Sequence, residues 1–452
     1  MTLSIVILAA GEGLRMKSKF PKVLHELAGR PLMDYALATA RAAAPDYRPV
    51  VVIGNGAEAV RAHLGDAAEI VVQAERLGTG HAVLQTRELL AGRCRRVLVS
   101  YADMPLLRPE TLRWLVREQE DNSGPFTMLT AVAAAPRGFG RVVRNASGGV
   151  QAIVEEAAAT PEQLAIRELN AGVYCFEADW LWGQLDRLPL SAQGEYYLTD
   201  LAGLATAEGL AVRGLPVTDP DEAIGVNTRL HLAEAEAALR RRINRGWLEN
   251  GVIMPDPATV YVGPDVVIGQ DTVIYPNTHL IGRTSVGEDC RLGPNAIIRD
   301  TIMGEGCKVL ASDLQSAELG NQVEIGPFAR LRKGARLSDG VHVGNFGEIK
   351  NSTLGPGVKM GHFSYVGDAT LGEGVNIGAG TVTCNYDGVH KYPTVIGAGA
   401  FIGSDTMLVA PVTLGEGAKT GAGAVVTRDI PPNSLAVGQP ARVIKRWDAG
   451  GE

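Results

Sequence analysis

The first half of the chain alternates short apolar runs with segments of helical periodicity. The apolar runs are SIVILAA at 4–10, YRPVVVIG at 47–54, EIVVQ at 69–73 and RRVLVSYAD at 95–103, and helical patterns lie near 32–43, 57–64 and 80–91. Such alternation is typical of an α/β domain with a mostly parallel sheet. In these sheets ligands bind beyond the carboxyl ends of the strands, which is where GEGLR and YAD fall. We therefore predict an α/β domain over residues 1–227.

A different pattern begins at residue 228 and ends near residue 250. The segment TRLHLAEAEAALRRRINRGWLEN is rich in alanine, leucine, glutamate and arginine, and it contains no proline. Its apolar groups recur at helical spacing, at Leu232, Ala235, Leu239 and Ile243. This pattern predicts a linker helix over residues 228–249.

Beyond residue 250 aliphatic side chains recur at every sixth position. The column runs without a miss through Val262, Ile268, Ile274, Leu280, Val286, Leu292 and Ile298, and it resumes after slips at Ile325, Leu354 and Ile396. A hexad with one inward aliphatic residue per flat face is typical of a β-helix, whereas the strands of a β-sandwich would alternate with period two. We predict a β-helix over residues 250–437 and a C-terminal tail over 438–452, with irregular corners or loops at the slips near 299–322 and 367–371.

Charge and cysteine usage narrow the class of protein. The 452 residues carry a formal net charge of −7, which argues against a general binder of nucleic acid or of anionic membranes. No apolar run approaches the roughly 20 residues that span a bilayer, and the N-terminus lacks the basic segment and cleavage site of a signal peptide. The five cysteines are scattered and never form a CxxC pair, so neither a disulfide framework nor a zinc site is indicated. We therefore expect a cytoplasmic protein without nucleic-acid partners or membrane insertion.

The loop LAAGEGLRMKSKFPK at 8–22 has the composition of a phosphate-binding turn. It is not a Walker loop, because GxxxxGK followed by Ser or Thr is absent, and it is not a dinucleotide fingerprint, because Met16 stands where a third glycine is required. Gly11 and Gly13 allow the backbone to approach a ligand closely, and Arg15 and Lys22 can contact phosphate oxygens. A purely structural turn would explain the glycines if they stood alone.

The segment LAAGEGLRMKSKFPKVLHELAGRP closely resembles the start of the sugar-nucleotide pyrophosphorylases, which join a nucleoside triphosphate to a sugar 1-phosphate and release pyrophosphate. The resemblance implies a Rossmann-like nucleotidyltransferase domain, and it continues in QAERLGTGHA, YADMPLL, FGRVVR, IVEEA, LNAGVY and GVN. Carried onto these motifs, it implies that the UDP-sugar contacts Leu8, Ala9, Ala10, Gly11, Lys22, Gln73, Gly78, Thr79, Gly140, Glu155, Asn170 and Asn227.

The same resemblance implies a magnesium site. Asp103 and Asn227 would hold Mg²⁺ across the phosphates, and Arg15 and Lys22 would assist catalysis on the pyrophosphate side. The amide of Gln73 suits uracil, since it can donate to a carbonyl and accept from the ring N–H. No protein nucleophile is required, because positioning carries much of the rate. Taken singly, Asp103 would be read as a helix cap and Asn170 as a turn residue.

The predicted β-helix also carries a close series of residues with chemically active side chains. They are Arg330, Arg332, Glu348, Lys350, His362, Tyr365, Asn376, Asn385, Tyr386, Lys391 and Ser404. The segment 384–393 interrupts the hexad, and a loop extruded from a solenoid is a usual place for function. A scaffold that only makes the protein trimeric is the alternative, and His362 by itself would be read as a surface residue.

Together the two halves resemble the bifunctional N-acetylglucosamine-1-phosphate uridyltransferases and glucosamine-1-phosphate acetyltransferases of bacterial cell-envelope synthesis, from about residue 3 to residue 437. The family implies a left-handed parallel β-helix of hexapeptide repeats, and homotrimers with active sites between neighbouring subunits. It also implies that the C-terminal half acetylates glucosamine 1-phosphate with acetyl-CoA. The N-terminal half would then couple the product to UTP, with Mg²⁺ as the cofactor.

The family further implies roles for the residues of the second site. His362 is the candidate base for the attacking amine, because an imidazole titrates close to neutral pH, and Asn385 and Glu348 would orient it or the amine. Glucosamine 1-phosphate would contact Arg332, Lys350, Tyr365, Asn376 and Lys391. Acetyl-CoA would contact Ala379, Asn385, Tyr386, Ser404 and Ala422, with a backbone N–H near Ala379 facing the oxyanion.

Some alternatives stay open at the level of sequence. Cys384 beside the site invites an acyl-enzyme mechanism, but the family transfers acetyl directly, which favours a packing role. Gln439 stands where relatives can carry an arginine near coenzyme A, with Arg442 three residues on, and neither is assigned a role. A single-activity pyrophosphorylase on a structural β-helix is one competing hypothesis. A nicotinamide dehydrogenase, which Met16 disfavours, is another.

Overall fold

The computed structural model describes residues 3–54, 57–132, 138–146 and 148–447. The chain divides into two compact units, Met1–Leu239 and Arg240–Glu452. The division falls inside one helix, Arg229–Glu249, in the segment where the sequence predicts a linker helix. Along this helix Ala235 and Leu239 are buried, and Ile243 packs against the apolar core of the second unit. In the described part of the chain no helix is both long and apolar enough to cross a membrane.

A nine-stranded mixed sheet forms the centre of the first unit. Its main order is Arg213–Pro216, Phe126–Val132, Glu168–Glu177, Arg96–Tyr101, Leu3–Ala9, Val50–Gly54 and Glu69–Gln73, and Arg141–Arg144 and Val150–Val154 extend it beside Glu168–Glu177. The four strands predicted from the apolar runs are parallel to one another, whereas Glu168–Glu177 is antiparallel to both of its main neighbours. A separate small hairpin pairs Glu26–Leu27 with Arg30–Pro31. The predicted α/β class is confirmed.

Both faces of this sheet are covered, which explains why its central strands are continuous apolar runs. In strand Leu3–Ala9, Ile5 and Ile7 face one apolar layer, and Val6 and Leu8 face the other. The helices of the unit are Leu32–Ala43, Glu58–Leu64, Thr79–Leu84, Arg87–Leu90, Pro109–Glu120, Pro161–Leu164, Ala178–Gln184 and Leu201–Ala207. Short 3-10 turns occur at Leu14–Met16, Lys22–Leu24, Glu156–Ala158, Leu185–Arg187, Leu198–Asp200 and Pro220–Ala223.

One predicted helix is broken in two. The sequence predicts a helix near 80–91, whereas the structure has Thr79–Leu84 followed by Arg87–Leu90. Between them the hydroxyl of Thr86 donates a hydrogen bond to the carbonyl of Val83, at 2.7 Å. A hydroxyl that bonds to nearby backbone competes with the helical hydrogen bonds, which accounts for the break.

Three sheets of short strands form the second unit, and its described strands pair in parallel except for the last two in the chain. Face A consists of Val260–Val262, Thr278–Ile281, Ile297–Arg299, Asp313–Gln315, Arg330–Leu331, Gly347–Lys350, Ser364–Gly367, Val382–Cys384, Met407–Val409 and Val425–Val426. Face B consists of Val267–Ile268, Ser285–Val286, Ile302–Met303, Glu318–Leu319, Arg336–Leu337, Thr353–Leu354, Ala369–Leu371, Thr394–Ile396 and Val412–Leu414. Face C consists of Val273–Ile274, Arg291–Leu292, Lys308–Val309, Glu324–Ile325, His342–Val343, Lys359–Met360, Asn376–Ile377, Phe401–Ile402, Lys419–Thr420, Ser434–Gly438 and Ala441–Arg446. The chain visits the faces in turn, so successive coils stack as the predicted β-helix, preceded by a 3-10 turn at Pro257–Thr259.

The aliphatic column found in the sequence is the core of the β-helix. Every hexad position from Val262 to Ile298 is buried. At the slips the corner between two strands is one residue shorter. Successive buried aliphatic residues are five positions apart there instead of six, as from Ile298 to Met303 and from Val366 to Leu371. Each short corner turns on one residue in the left-handed region, such as Asp300 at φ +47° and Asp368 at φ +51°. The repeat therefore continues through both slips.

The predicted C-terminal tail begins as part of a hairpin. Strand Ala441–Arg446 pairs antiparallel with Ser434–Gly438. In the turn between them, Nε2 of Gln439 donates to the carbonyl of Gly423 at 2.9 Å. Residues 448–452 of the tail lie outside the described residues. The predicted boundaries at 227, 249 and 437 stay predictions.

Candidate active sites

A cavity of about 880 Å³ opens at the carboxyl ends of the parallel strands of the first unit. Its wall consists mainly of the segments that follow Leu3–Ala9, Glu69–Gln73 and Arg96–Tyr101. The predicted site residues that line it are Leu8, Ala9, Ala10, Gly11, Arg15, Lys22, Gln73, Gly78, Thr79, Asp103 and Asn227. The structure thus brings together the residues predicted for the nucleotide and the metal.

The glycine loop folds tightly over Lys22. Gly13 has φ +67°, and a Cβ there would lie 2.6 Å from the Cβ of Lys22, so a side chain does not fit. The turn Leu14–Met16 is anchored by the buried side chain of Met16, while Arg15 is exposed. The loop therefore brings the cationic groups of Arg15 and Lys22 to one wall of the cavity.

Lys22 connects the two residues predicted to hold the metal. Its ammonium forms an ion pair with the carboxylate of Asp103 and donates a hydrogen bond to Oδ1 of Asn227 at 3.1 Å. The N–H of Val226 donates to the carbonyl of Asp103 at 2.8 Å, which keeps Asn227 beside Asp103. A carboxylate and an amide oxygen thus converge on one positive charge.

These two oxygen ligands fit Mg²⁺ that arrives with a nucleotide. Mg²⁺ in proteins is usually bound by one or two carboxylates together with substrate phosphates. Asp103 and Asn227 supply oxygen atoms, and in this structure both contact the ammonium of Lys22. No cluster of three or more His, Cys, Asp or Glu side chains suited to a metal occurs among the described residues.

Gln73 is held in one orientation at the end of its strand. Its Nε2 donates to the carbonyl of Gly78 at 3.1 Å and lies 3.0 Å from Nδ1 of His81. Because a carbonyl can only accept, the amide oxygen of Gln73 is the atom left to receive a donor. Gly78 has φ +94°, and a Cβ there would lie 2.6 Å from the carbonyl oxygen of Tyr196. The arrangement offers an acceptor that matches an imide N–H such as that of uracil.

The three residues predicted to bind the sugar lie close together but do not line the cavity. A Cβ on Gly140 would lie 3.5 Å from Oε1 of Glu155 and 3.7 Å from the Cβ of Asn170. The carboxylate of Glu155 accepts from the hydroxyl of Thr199 at 3.1 Å. Burial is the main cause that raises the pKa of Glu155, and the carboxylate of Asp200 adds to the rise. The three residues form a polar cluster with a partly desolvated carboxylate.

Sequence analysis missed Tyr101, which links this cluster to the cavity. Tyr101 lines the cavity together with Thr79. Burial, followed by the charges of Asp103 and Glu155, raises the pKa of Tyr101. The signal was present in the motif YAD, where the tyrosine stands two residues before the predicted metal ligand.

Sequence analysis also missed an ion pair on the cavity wall. Arg76 pairs with Glu12 and donates to the carbonyl of Ala10 at 3.2 Å. Both partners are well exposed, and such pairs contribute little to stability. The pair does join the glycine loop to the segment after Glu69–Gln73, and its arginine was visible in QAERLGTGHA.

In the second unit most predicted acetyl-transfer residues lie on face A or at its corners. Glu348 stands in register with Arg330 on one side and with Tyr365 on the other. At one corner Nη1 of Arg332 lies 2.9 Å from Oε1 of Glu348. Asn376 is the exception, because it lies on strand Asn376–Ile377 of face C.

Three cations meet at the corner that carries Arg332. The neighbouring amine of Lys391, and after it the charge of Arg332, lower the pKa of Lys350. Cations that repel one another in this way are stabilised by an anion between them. The corner therefore suits a phosphate group.

The opposite corner of face A carries His362. Tyr365 stands in register with Val382, Val382 with Met407, and Met407 with Val425. Three residues before these positions lie His362, Ala379, Ser404 and Ala422, which therefore form one column along the β-helix. The structure thus aligns the predicted base with three residues predicted to contact acetyl-CoA.

The segment that interrupts the hexad forms a compact loop. The N–H of Tyr392 donates to the carbonyl of Asn385 at 2.9 Å, and Tyr386 forms a β-bridge with Lys391. At its tip the carboxylate of Asp387 accepts from the N–H of His390 at 2.6 Å. The loop therefore holds Asn385 and Lys391 in a defined arrangement on the β-helix.

Two expectations for the acetyl-transfer site concern the groups that orient His362 or the amine and the role of Cys384. Glu348 is bonded to Arg332 and Asn385 to Asp368, and neither forms a hydrogen bond with His362 in the described chain. Burial raises the pKa of Cys384, which disfavours the thiolate that an acyl-enzyme mechanism needs.

Known proteins match both units of this chain. The family model of the MobA-like NTP transferase domain matches residues 5–173, and that of the bacterial transferase hexapeptide with six repeats matches 265–300 and 393–428. The bifunctional protein GlmU of Heliobacterium modesticaldum is 48% identical over 97% of this chain and 96% of its own length. The GlmU proteins of Pelobacter propionicus and Exiguobacterium sibiricum are 45% and 44% identical over 98% and 97% of this chain, and over 96% and 98% of their own lengths.

Proposed function

The chain belongs to the family of bifunctional GlmU proteins, and we infer from this membership how it divides two reactions between its halves. It is a transferase that makes UDP-N-acetylglucosamine. The half with left-handed hexapeptide repeats transfers acetyl from acetyl-CoA to the amine of glucosamine 1-phosphate. The nucleotidyltransferase half then transfers UMP from UTP to N-acetylglucosamine 1-phosphate and releases pyrophosphate. The observation that carries this conclusion is similarity to GlmU through both halves, over 97% of the chain.

The product is a precursor of the cell envelope, for peptidoglycan and, where present, lipopolysaccharide. We place the reactions in the cytoplasm, where UTP and acetyl-CoA are available. The cysteines support this placement, because all of them are free thiols, as expected in a reducing compartment.

For uridylyl transfer we propose that the chain positions two polyanions and balances their charge. Mg²⁺ bound by Asp103 and Asn227 would supply charge neutralisation at the phosphates of UTP. Lys22, which already lies against these two oxygens, and the exposed Arg15 would hold the pyrophosphate side. The sugar phosphate attacks the α-phosphate in line, and no side chain acts as a nucleophile.

Recognition of the nucleotide and the sugar is assigned to separate parts of this unit. The amide oxygen of Gln73 would accept the imide N–H of uracil, because its Nε2 is already bonded to Gly78. The cluster of Gly140, Glu155 and Asn170 would bind the N-acetylglucosamine moiety.

For acetyl transfer we propose that glucosamine 1-phosphate binds on face A, with its phosphate at the corner that carries Arg332. Arg332, Lys350 and Lys391 would hold the phosphate, and Tyr365 lies between the corners on the same face. His362 would take the proton from the attacking amine. The column of Ala379, Ser404 and Ala422 would bind acetyl-CoA with Asn385 and Tyr386, and the backbone N–H of Ala379 would face the oxyanion.

We propose that the protein is a homotrimer whose subunits meet beside His362. Phe328, Phe346 and Phe363 stack in register at this corner and are 56 to 60% exposed, with the first two rings 5.4 Å apart. An exposed apolar column of this kind is stabilised when a second copy covers it. Light scattering of the purified protein is expected to give the mass of three chains, and the mass of a single chain would contradict the proposal.

The two activities are tested on the intact wild-type protein. With acetyl-CoA and glucosamine 1-phosphate we expect stoichiometric release of coenzyme A thiol, and after addition of UTP and Mg²⁺ the release of pyrophosphate. Pyrophosphate release from N-acetylglucosamine 1-phosphate without any thiol release would instead indicate a pyrophosphorylase on a structural β-helix. Thermal stabilisation by NAD but not by UTP would favour the dehydrogenase hypothesis.

A further inference from the structure

Asp368 occupies a short corner of the β-helix, one coil before the corner between Val382–Cys384 and Thr394–Ile396 from which the loop is extruded. It connects strand Ser364–Gly367 of face A to Ala369–Leu371 of face B, in the left-handed region at φ +51°. Its N–H donates to the carbonyl of Lys350, and its own carbonyl accepts from the N–H of Thr394, both at 3.1 Å. The backbone of Asp368 thus joins the coil that carries Lys350 to the end of the loop.

The side chain of Asp368 is bonded to two amides. Its carboxylate accepts from Nδ2 of Asn385, and from Nδ2 of Asn351 at 2.6 Å. An ionised carboxylate can only accept, so each amide must turn its NH₂ group toward it. Asn385 is buried, and this contact therefore determines which way its amide faces. The atom left to Asn385 for a ligand is its carbonyl oxygen Oδ1.

The surroundings of Asp368 place this contact beside the phosphate corner. Asp368 and Lys391 line the same cavity of about 470 Å³ on the second unit. The charge of Asp368 also opposes the cationic neighbours that lower the pKa of Lys350. One carboxylate is therefore shared between the loop that carries Asn385 and the cations proposed to bind phosphate.

We propose that Asp368 is a positioning residue for acetyl transfer, which holds the amide of Asn385 so that Oδ1 accepts an N–H of the attacking amine. This inference rests on the proposed function of the second unit. A neutral amine that donates one N–H to a fixed acceptor keeps a defined direction for its lone pair, and misplacement of a reacting group by about 1 Å can cost about 10²-fold in rate.

The test compares Asp368→Asn with Asp300→Asn in thiol-release assays on the full chain. Asp300 is a matched control, because it has the same left-handed corner conformation, at φ +47°, and its carboxylate accepts from the backbone of Arg283 at 3.0 Å. We expect Asp368→Asn to lower kcat for acetyl transfer about 10²-fold. Asp300→Asn should keep the wild-type kcat. Uridylyl transfer should be unchanged in both variants, which reports that the first unit has folded.

Exchanging the side chains of Asp368 and Asn385 tests whether Asp368 positions Asn385 or has only a general structural role. Asn385→Asp sets two carboxylates against each other and should lower kcat at least as far as Asp368→Asn does. The double variant Asp368→Asn/Asn385→Asp restores one amide and one carboxylate, and we expect it to recover about tenfold over Asn385→Asp. Wild-type kcat in Asp368→Asn, or losses that simply multiply in the double variant, would overturn the inference. Absence of thiol release from the wild type would instead contradict the proposed function itself.

Discussion

Replacement of Asp103 by alanine is expected to abolish uridylyl transfer while acetyl transfer continues at the wild-type rate. The carboxylate is the only charged member of the proposed Mg²⁺ site, and in this structure it also pairs with Lys22. Its loss removes charge stabilisation from the phosphates. We expect kcat/KM to fall about 10³-fold, which corresponds to a loss of several kcal/mol of transition-state stabilisation. Pyrophosphate release and thiol release from the same preparation measure the two activities.

Two further variants make this result specific. Asp121→Ala removes an exposed carboxylate after helix Pro109–Glu120, and it should leave both activities unchanged. Asp103→Asn keeps the shape of the side chain and should raise the Mg²⁺ concentration needed for half-maximal pyrophosphate release. Equal loss of both activities in Asp103→Ala would argue against independent sites. An unchanged Mg²⁺ requirement in Asp103→Asn would argue against a role as a metal ligand.

Replacement of His362 by alanine is expected to lower kcat for acetyl transfer by about 10² to 10⁴-fold, the usual contribution of a general base. His362 is exposed at the corner of face A, and it lies in one column with Ala379, Ser404 and Ala422. Without the imidazole the attacking amine loses the proposed acceptor of its proton. Thiol release is the measurement, and uridylyl transfer in the same chain should stay at the wild-type rate.

The matched control for this substitution is His342→Ala. His342 lies on face C beside Glu324, away from the column of His362, and its replacement should leave thiol release unchanged. Added imidazole should restore part of the activity of His362→Ala, because the substitution leaves room for it at the position of the missing ring. Undiminished thiol release in His362→Ala would remove this residue from the mechanism. A loss that imidazole fails to restore at any concentration would point to a binding role.

The fold was accessible from the sequence because both of its patterns are local. In the first unit a strand that is buried on both faces must be a continuous apolar run, as in Leu3–Ala9. In the second unit each coil buries one aliphatic residue per face, so the period of the column specifies the β-helix. The slips obscured this period, because a corner shortened by one left-handed residue, such as Asp300, has no distinct composition.

Local hydrogen bonds and side-chain pairs were harder to predict. The break between Thr79–Leu84 and Arg87–Leu90 depends on a hydroxyl contact that periodicity does not reveal. Tyr101 and Arg76 stand next to predicted residues in the chain, but their contacts with Thr79 and Glu12 depend on the packing of separate loops. The resemblance to known motifs identified the predicted site residues, but it did not identify neighbours such as Tyr101 and Arg76.

The sequence by itself determined the two folds, and it pointed to the glycine loop and to most residues of both proposed sites, because apolar periods and motifs can be recognised in the order of residues alone. Only the tertiary structure decided which of these residues meet. Lys22 and Asn227 are separated by 205 residues and are joined because their segments end at one edge of a sheet. Asp368 and Asn385 meet because the register of stacked coils places one corner beneath the loop. Such pairings depend on register and loop path, which the order of residues does not display.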